Sequence, residues 1–215
     1  AADGHTIVSG GLDGAVTAWD LGRRSLGFTD QAIVAVSPQP RGPLLAAVTG
    51  DGSTWLWNRL TGDPQRRLDG ETGRRIDAAF SPDGTRLATV GGDSTVLVRD
   101  TAMSAVAGRF SRPGTTLRTV TFSPDGTRLA TAGESADGGE VLVLDAATLT
   151  VLQRLATGPL PRNPQADGST SNYALSLAFS PDGRLLAVPL AGGRVAVWDQ
   201  AAPGVAPLTL DGHAQ

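Results

Sequence analysis

Phe80-Ser81-Pro82-Asp83-Gly84 leads through Thr85 into Arg86-Leu87-Ala88-Thr89-Val90-Gly91-Gly92-Asp93-Ser94-Thr95-Val96-Leu97-Val98-Arg99-Asp100. This stretch decides the fold because the chain repeats it. The opening phrase recurs as Phe122-Ser123-Pro124-Asp125-Gly126 and as Phe179-Ser180-Pro181-Asp182-Gly183, with a weaker copy at Val36-Ser37-Pro38-Gln39-Pro40. The run from Arg86 to Asp100 aligns without gaps on Thr6–Asp20, Leu44–Asn58 and Leu185–Asp199. Arg128–Asp145 matches it with three extra residues. Self-similarity at this spacing means stacked supersecondary units.

Each copy reads as two strands about a Gly/Asp turn, where glycine supplies φ > 0 and Asp supplies side-chain bonds. Ser-Pro-Asp-Gly is a second turn, with Pro presetting φ. A strand such as Ile76–Phe80 precedes it, and a polar strand such as Gln65–Leu68 follows the terminal Asp. The unit is therefore four antiparallel strands, a to d. Strands a to c are mostly apolar on both faces, as in a sheet packed between two others. Strand d is polar and Arg-rich, as at an outer edge. Four-stranded sheets stacked face to face predict a β-propeller; a β-sandwich has no reason to repeat its turns so closely. The expected blades are 32–69, 75–111, 117–157 and 174–211, with a partial blade at 3–30. The segment is expected to begin and end within a repeat, and, as an open arc, to self-associate through its end faces.

Composition narrows the function. The 215 residues carry net charge −3, so there is no basic footprint for nucleic acid. No cysteine is present to form a disulfide, a thiol nucleophile or a Cys-ligated metal site. There is no apolar run long enough to span a membrane as a helix. All 18 basic residues are Arg. No P-loop, Gly-x-Ser-x-Gly elbow or His-Glu-x-x-His occurs. The two histidines, His5 and His213, stand at no ligand spacing. Asp83, Asp125 and Asp182, like Asp13, Asp51 and Asp93, recur at fixed places in the repeat. That recurrence argues for turn geometry and against a catalytic pair.

The copies are unequal in one place. Ser37 to Ser81 spans 44 residues and Ser81 to Ser123 spans 42, but Ser123 to Ser180 spans 57. The excess lies at 157–173, a d–a connection, and the three extra residues lie near Glu134–Gly139 in the b–c turn of the same blade. In a propeller these connections emerge on one face. Long loops on a rigid scaffold often carry function, although Pro, Gly and Ser dominate this one and also suit a neutral insertion. Candidate partner-binding residues are Glu134, Asp137, Arg162, Asn163, Asn172, Tyr173, Arg112 and Arg118. Arg74, Arg75, Arg112 and Arg118 read either as contacts there or as solubilising charges.

Trp19-Asp20, Trp198-Asp199 and Gly212-His213 make the chain resemble the WD40 repeat family, and the resemblance spans nearly its whole length. It implies a seven-bladed propeller acting as a protein-interaction platform. It also implies a buried tetrad per blade: Trp on c, Ser or Thr on b, Asp in the b–c turn and His before a. The matching positions are Ser9, Asp13 and Trp19; Asp51 and Trp57, with Ala47 in the Ser position; and Thr89 and Asp93, with Arg99 for Trp and Glu71 for His. The later blades offer Thr131, with Leu144 for Trp, and then Trp198, with Val188 and Gly192 for Ser and Asp. His213 would serve a later repeat. No blade keeps all four, so stability is expected from apolar stacking.

The expected function is a non-catalytic scaffold without cofactor or metal. It would be the propeller part of a larger bacterial, cytoplasmic signalling or regulatory protein, binding a protein partner and neither nucleic acid nor membrane. The alternatives are a TolB-like accessory propeller and a lactonase-type or quinone-dependent propeller enzyme.

Overall fold

A computed structural model describes residues 7–10, 15–19, 23–28, 31–68, 73–102, 105–136, 138–158, 162–164, 170–172, 176–190 and 194–211. The chain forms two compact units, residues 1–113 and 114–215. Every regular element among the described residues is a strand.

The first unit holds three sheets. One is three-stranded, β1 (Ile7–Gly10), β2 (Ala15–Trp19) and β3 (Arg23–Phe28). Next come β4 (Ile33–Pro38), β5 (Leu44–Thr49), β6 (Thr54–Asn58) and β7 (Pro64–Arg67). The third sheet is β8 (Arg75–Phe80), β9 (Arg86–Gly91), β10 (Thr95–Asp100) and β11 (Val106–Ser111). The second unit holds β12 (Thr116–Phe122), β13 (Arg128–Ser135), β14 (Gly138–Asp145) and β15 (Val151–Gly158). It continues with a short ribbon, β16 (Arg162–Pro164) and β17 (Thr170–Asn172), and with β18 (Ala178–Phe179), β19 (Leu185–Leu190), β20 (Arg194–Asp199) and β21 (Leu208–Asp211). In the four four-stranded sheets, strands pair antiparallel in chain order. These are the four-stranded antiparallel blades of a β-propeller.

The packing follows the sequence pattern. Leu45, Ala46, Ala47 and Val48 of β5 are fully buried on both faces, while all of β7 is exposed. In the first unit Ala46, Val48, Leu56 and Leu68 of one sheet meet Ala78, Phe80 and Leu87 of the next. In the second unit Ala130, Ala132, Val141 and Val143 meet Leu186, Val188, Ala196 and Trp198. Each large aliphatic side chain buried this way contributes about 1.5–3 kcal/mol. The inner strands share a bulge at one place: the register shifts between Ile33 and Ala35, Arg75 and Asp77, and Leu117 and Thr119. An extra residue there bends strand a and raises its twist.

Candidate functional site

The repeated Asp residues are turn formers. Ser81 Oγ donates to Asp83 at 2.6 Å, and Asp83 accepts the Thr85 N–H at 3.0 Å. Ser81 Oγ also accepts the Arg86 N–H at 2.9 Å. Ser123, Asp125, Thr127 and Arg128 repeat this set at 2.6, 3.0 and 2.9 Å, and Ser180 and Asp182 rebuild it with Arg184 and Leu185. Gly84, Gly126 and Gly183 close the turns at φ 74, 71 and 71°. The serine hydroxyl is the main cause that holds each Asp carboxyl below its usual pKa; the backbone N–H adds to it. In the weak copy Gln39 takes the Asp place, and its Nε2 donates to the Gly84 carbonyl at 2.7 Å.

The Asp or Asn that ends strand c has a parallel task. Asn58, Asp100, Asp145 and Asp199 each accept a backbone N–H two residues on, at 2.9–3.0 Å. The Asp of the Trp-Asp pair thus caps the c–d turn. Arg184 adds Nε and Nη2 bonds to Asp199 at 3.1 and 2.8 Å.

One sequence expectation fails at the b–c end of the third sheet. Arg75 is no surface charge: it is fully buried. Its Nη2 bonds Asp93, and its guanidinium also donates to Thr95 Oγ1 at 3.1 and 3.2 Å. Asp93 in turn accepts the Thr95 hydroxyl at 2.8 Å and the Thr95 N–H at 3.2 Å. Sequence reading missed this role because it took Arg75 as one of several arginines near a connection. The signal was available in the alignment: Arg75 stands where the neighbouring sheets have Ile33 and Leu117, both buried. An ion in an apolar position must be paired.

The other tetrad remnants differ from sheet to sheet. Asp51 accepts from Thr49 Oγ1 at 2.6 Å and from the Ser53 N–H at 3.0 Å. The Thr49 bond leads in lowering its pKa. Trp57 is buried, and its Nε1 has no hydrogen-bond partner among the described residues, as Ala47 in the Ser position would leave it. Thr131 is buried and its hydroxyl donates at 2.9 Å to the Thr119 carbonyl of strand a. Thr89 and Arg99 are buried in the third sheet, Trp198 is buried in the last sheet, and Ser9 is exposed. Trp19 lies at the end of β2. Asp13, Glu71 and His213 lie outside the described residues.

The b–c end of the fourth sheet carries the candidate site. Its three extra residues lengthen the hairpin: the pairing runs on through Gly133–Glu140, Glu134–Gly139 and Ser135–Gly138. Ser135 Oγ donates to the Gly138 carbonyl across the turn at 3.3 Å. The neighbours lengthen with it. Thr116 pairs with Glu134, and Gly158 pairs with Gly139. Because Gly158 opens the long d–a connection, the two insertions meet at one end of one sheet. Part of the connection is itself paired, Arg162 with Asn172 and Asn163 with Ser171. Arg118 occupies the bulge beside this end and is partly buried. Burial pulls its pKa down and the nearby Glu134 carboxylate opposes that shift. Its Nε is buried without a hydrogen-bond partner among the described residues. Arg112 belongs to the first unit, where its N–H bonds the Ser94 carbonyl at 2.8 Å. Asp137 and Tyr173 lie outside the described residues.

Chemistry of other kinds finds little footing among the described residues. No group of three His, Cys, Asp or Glu side chains there could hold a metal ion. A cavity of about 180 Å³ against β4 is lined by Ile33, Val34, Ala35 and Val36, all apolar. Among the described residues no helix is long and apolar enough to cross a membrane.

Comparison with known proteins agrees with this architecture. The family model for the WD domain, G-beta repeat matches residues 62–100, 108–139 and 164–199. The chain is 27% identical over 129 residues to the target of rapamycin complex subunit LST8 of Mus musculus, covering 52% of this chain and 39% of that protein. It is 28% identical over 165 residues to the small ribosomal subunit protein RACK1y of Oryza sativa, covering 77% and 46%. It is 27% identical over 199 residues to the WD repeat-containing protein SL1-17 of Schistosoma mansoni, covering 90% and 61%. It thus spans less than half the length of the first two relatives. Four-stranded repeat sheets, Trp-Asp strand endings and three matched repeats together make this chain a member of the WD40 repeat family.

Proposed function

We propose that the chain is a non-catalytic protein-interaction scaffold. Its partner surface is the b–c end of the fourth sheet: Arg118, Glu134, the β13–β14 hairpin and the 157–173 connection. The carrying observation is the pairing of Gly139 with both Glu134 and Gly158, which brings the lengthened hairpin and the start of the d–a connection to one end of one sheet. A neutral insertion has no need for such order. Arg118 supplies a partly desolvated guanidinium, a residue type enriched at interface anchors. Two relatives are named as members of assemblies, a target of rapamycin complex and a small ribosomal subunit, which supports a scaffold reading. The proposal extends to a larger bacterial regulatory protein in the cytoplasm; the Ser-Pro-Asp-Gly turns motivate it, although the relatives named above are eukaryotic.

The test is a deletion of 159–171 in the full-length protein, compared with wild type by quantitative crosslinking and mass spectrometry in the native cell. Loss of specific crosslinked proteins at unchanged melting temperature is expected. An unchanged crosslinking profile would sink the proposal.

A further inference from the structure

A second surface lies at the other end of the second unit's strands, beside the Ser-Pro-Asp-Gly turns. A groove of about 170 Å³ is lined by Ser123, Asp125 and Arg128 of one sheet and by Asp182, Arg184 and Gln200 of the next, with Gly183 and Ala201. Ser123 and Gln200 are its buried members; Asp125, Asp182 and Arg184 are exposed. Gln200 is only 4% exposed, yet neither Nε2 nor Oε1 has a hydrogen-bond partner among the described residues. A buried carboxamide with both ends unsatisfied costs about 1–3 kcal/mol per group and calls for an explanation.

The repeat shows that this is a departure. Gln200 follows the capping Asp199, and its N–H bonds the Arg184 carbonyl at 2.7 Å. Arg59 and Thr101 hold the same place in two other sheets, with N–H bonds to the Pro43 and Thr85 carbonyls. Their side chains are occupied: Arg59 Nε donates to the Gly42 carbonyl at 3.0 Å, and Thr101 Oγ1 to the Gly84 carbonyl at 3.0 Å. Gln200 makes no such turn bond. Its donor and acceptor stand side by side, which matches the N–H and C=O of a peptide unit. Arg128 adds a cation to the lining, beside Asp125.

We propose that this groove binds a short extended peptide of a partner protein. A main-chain amide of the peptide pairs with the Gln200 carboxamide, and an acidic side chain lies against Arg128. Neither amide atom of Gln200 touches solvent, so the peptide must shift the rim side chains. These are exposed and, in the case of Arg184, long. A surface of this kind suits a scaffold, because it adds a second partner at the opposite end of the strands from the hairpin outgrowth.

A display library of linear peptides, selected on the full-length protein, tests this. Enriched peptides, synthesised and measured by fluorescence anisotropy, are expected to weaken about tenfold with Gln200→Leu, the loss of one well-made buried hydrogen-bond pair. Arg128→Met should weaken them similarly, and it guards against a Gln200 variant that fails to fold. Deleting 159–171 should leave this binding unchanged, which separates the groove from the surface proposed above. Equal binding to wild type and both variants, or no enrichment, would overturn the assignment. So would a crystal structure showing both Gln200 amide atoms bonded to a buried water only.

Discussion

The third and fourth sheets share their turns, bulge and strand order, yet their b–c ends differ. In the third, Arg75 is buried on Asp93 and Thr95, and the turn is tied down from within. In the fourth, Leu117 fills the Arg75 position, also buried, and the b–c turn grows outward as a longer hairpin. One end uses its polar groups on itself. The other packs an apolar residue beneath a longer hairpin that carries Glu134 and Ser135. The same scaffold thus supports either a closed turn or a projecting surface, depending on one buried position and a three-residue insertion.

The largest effect should come from breaking the closed end. Arg75→Leu places the fourth sheet's residue in the third and removes the cation beside Asp93, so a loss of about 3 kcal/mol is expected in urea unfolding. Arg75→Leu with Asp93→Ala should recover most of it, because an apolar pair of suitable shape can replace a buried ion pair. No recovery in the double variant would mean that the site needs the charges themselves.

A shared element gives the next effect. A Cβ on Gly91 would meet the Arg74 carbonyl at 2.4 Å, and one on Gly133 would meet the Thr116 carbonyl at 2.4 Å. Gly91→Ala and Gly133→Ala should each cost about 1–3 kcal/mol by forcing backbone apart. Similar losses are expected, since both glycines face strand a where it meets the b–c end. A harmless Gly133→Ala would show that the longer hairpin has more freedom there than its register implies.

Thr131→Val in the fourth sheet removes the bond to the Thr119 carbonyl and keeps the shape, so about 1 kcal/mol is expected by thermal melting. In the second sheet, Ala47→Ser should move the other way by up to about 1 kcal/mol if the new hydroxyl reaches Trp57 Nε1.

The smallest effect should be common to both sheets. Asp83 and Asp125 have lower pKa values folded than unfolded, led by the Ser81 and Ser123 hydroxyls. Their stabilisation is complete above the unfolded value of about 4 and fades as pH falls through the folded values. Asp83→Asn or Asp125→Asn should therefore flatten the loss of stability below about pH 4. An unchanged acid limb in both variants would remove the turns as its cause.

Much of this was legible in the chain. The Ser-Pro-Asp-Gly phrase gave strand order, turn positions and the reason for most Asp residues, because turn chemistry is local: donor and acceptor lie within five residues. The unequal spacing located the two insertions. That they meet, through Gly139 and Gly158, follows from strand register, which pairs residues far apart in sequence. The burial of Arg75 was not read, although its alignment with Ile33 and Leu117 held the clue. Its partner Asp93 is 18 residues away, and the pairing exists only once the strand-a start and the b–c turn are brought together.

The sequence by itself thus determined the repeat, the turns and the four-stranded unit, because these rest on periodicity and short-range bonds. Only the tertiary structure decided which charges are buried, which turn is closed and which lengthens, and that the Gln200 carboxamide is buried without a partner among the described residues. Burial and long-range pairing depend on neighbouring sheets, and no single repeat encodes its neighbour.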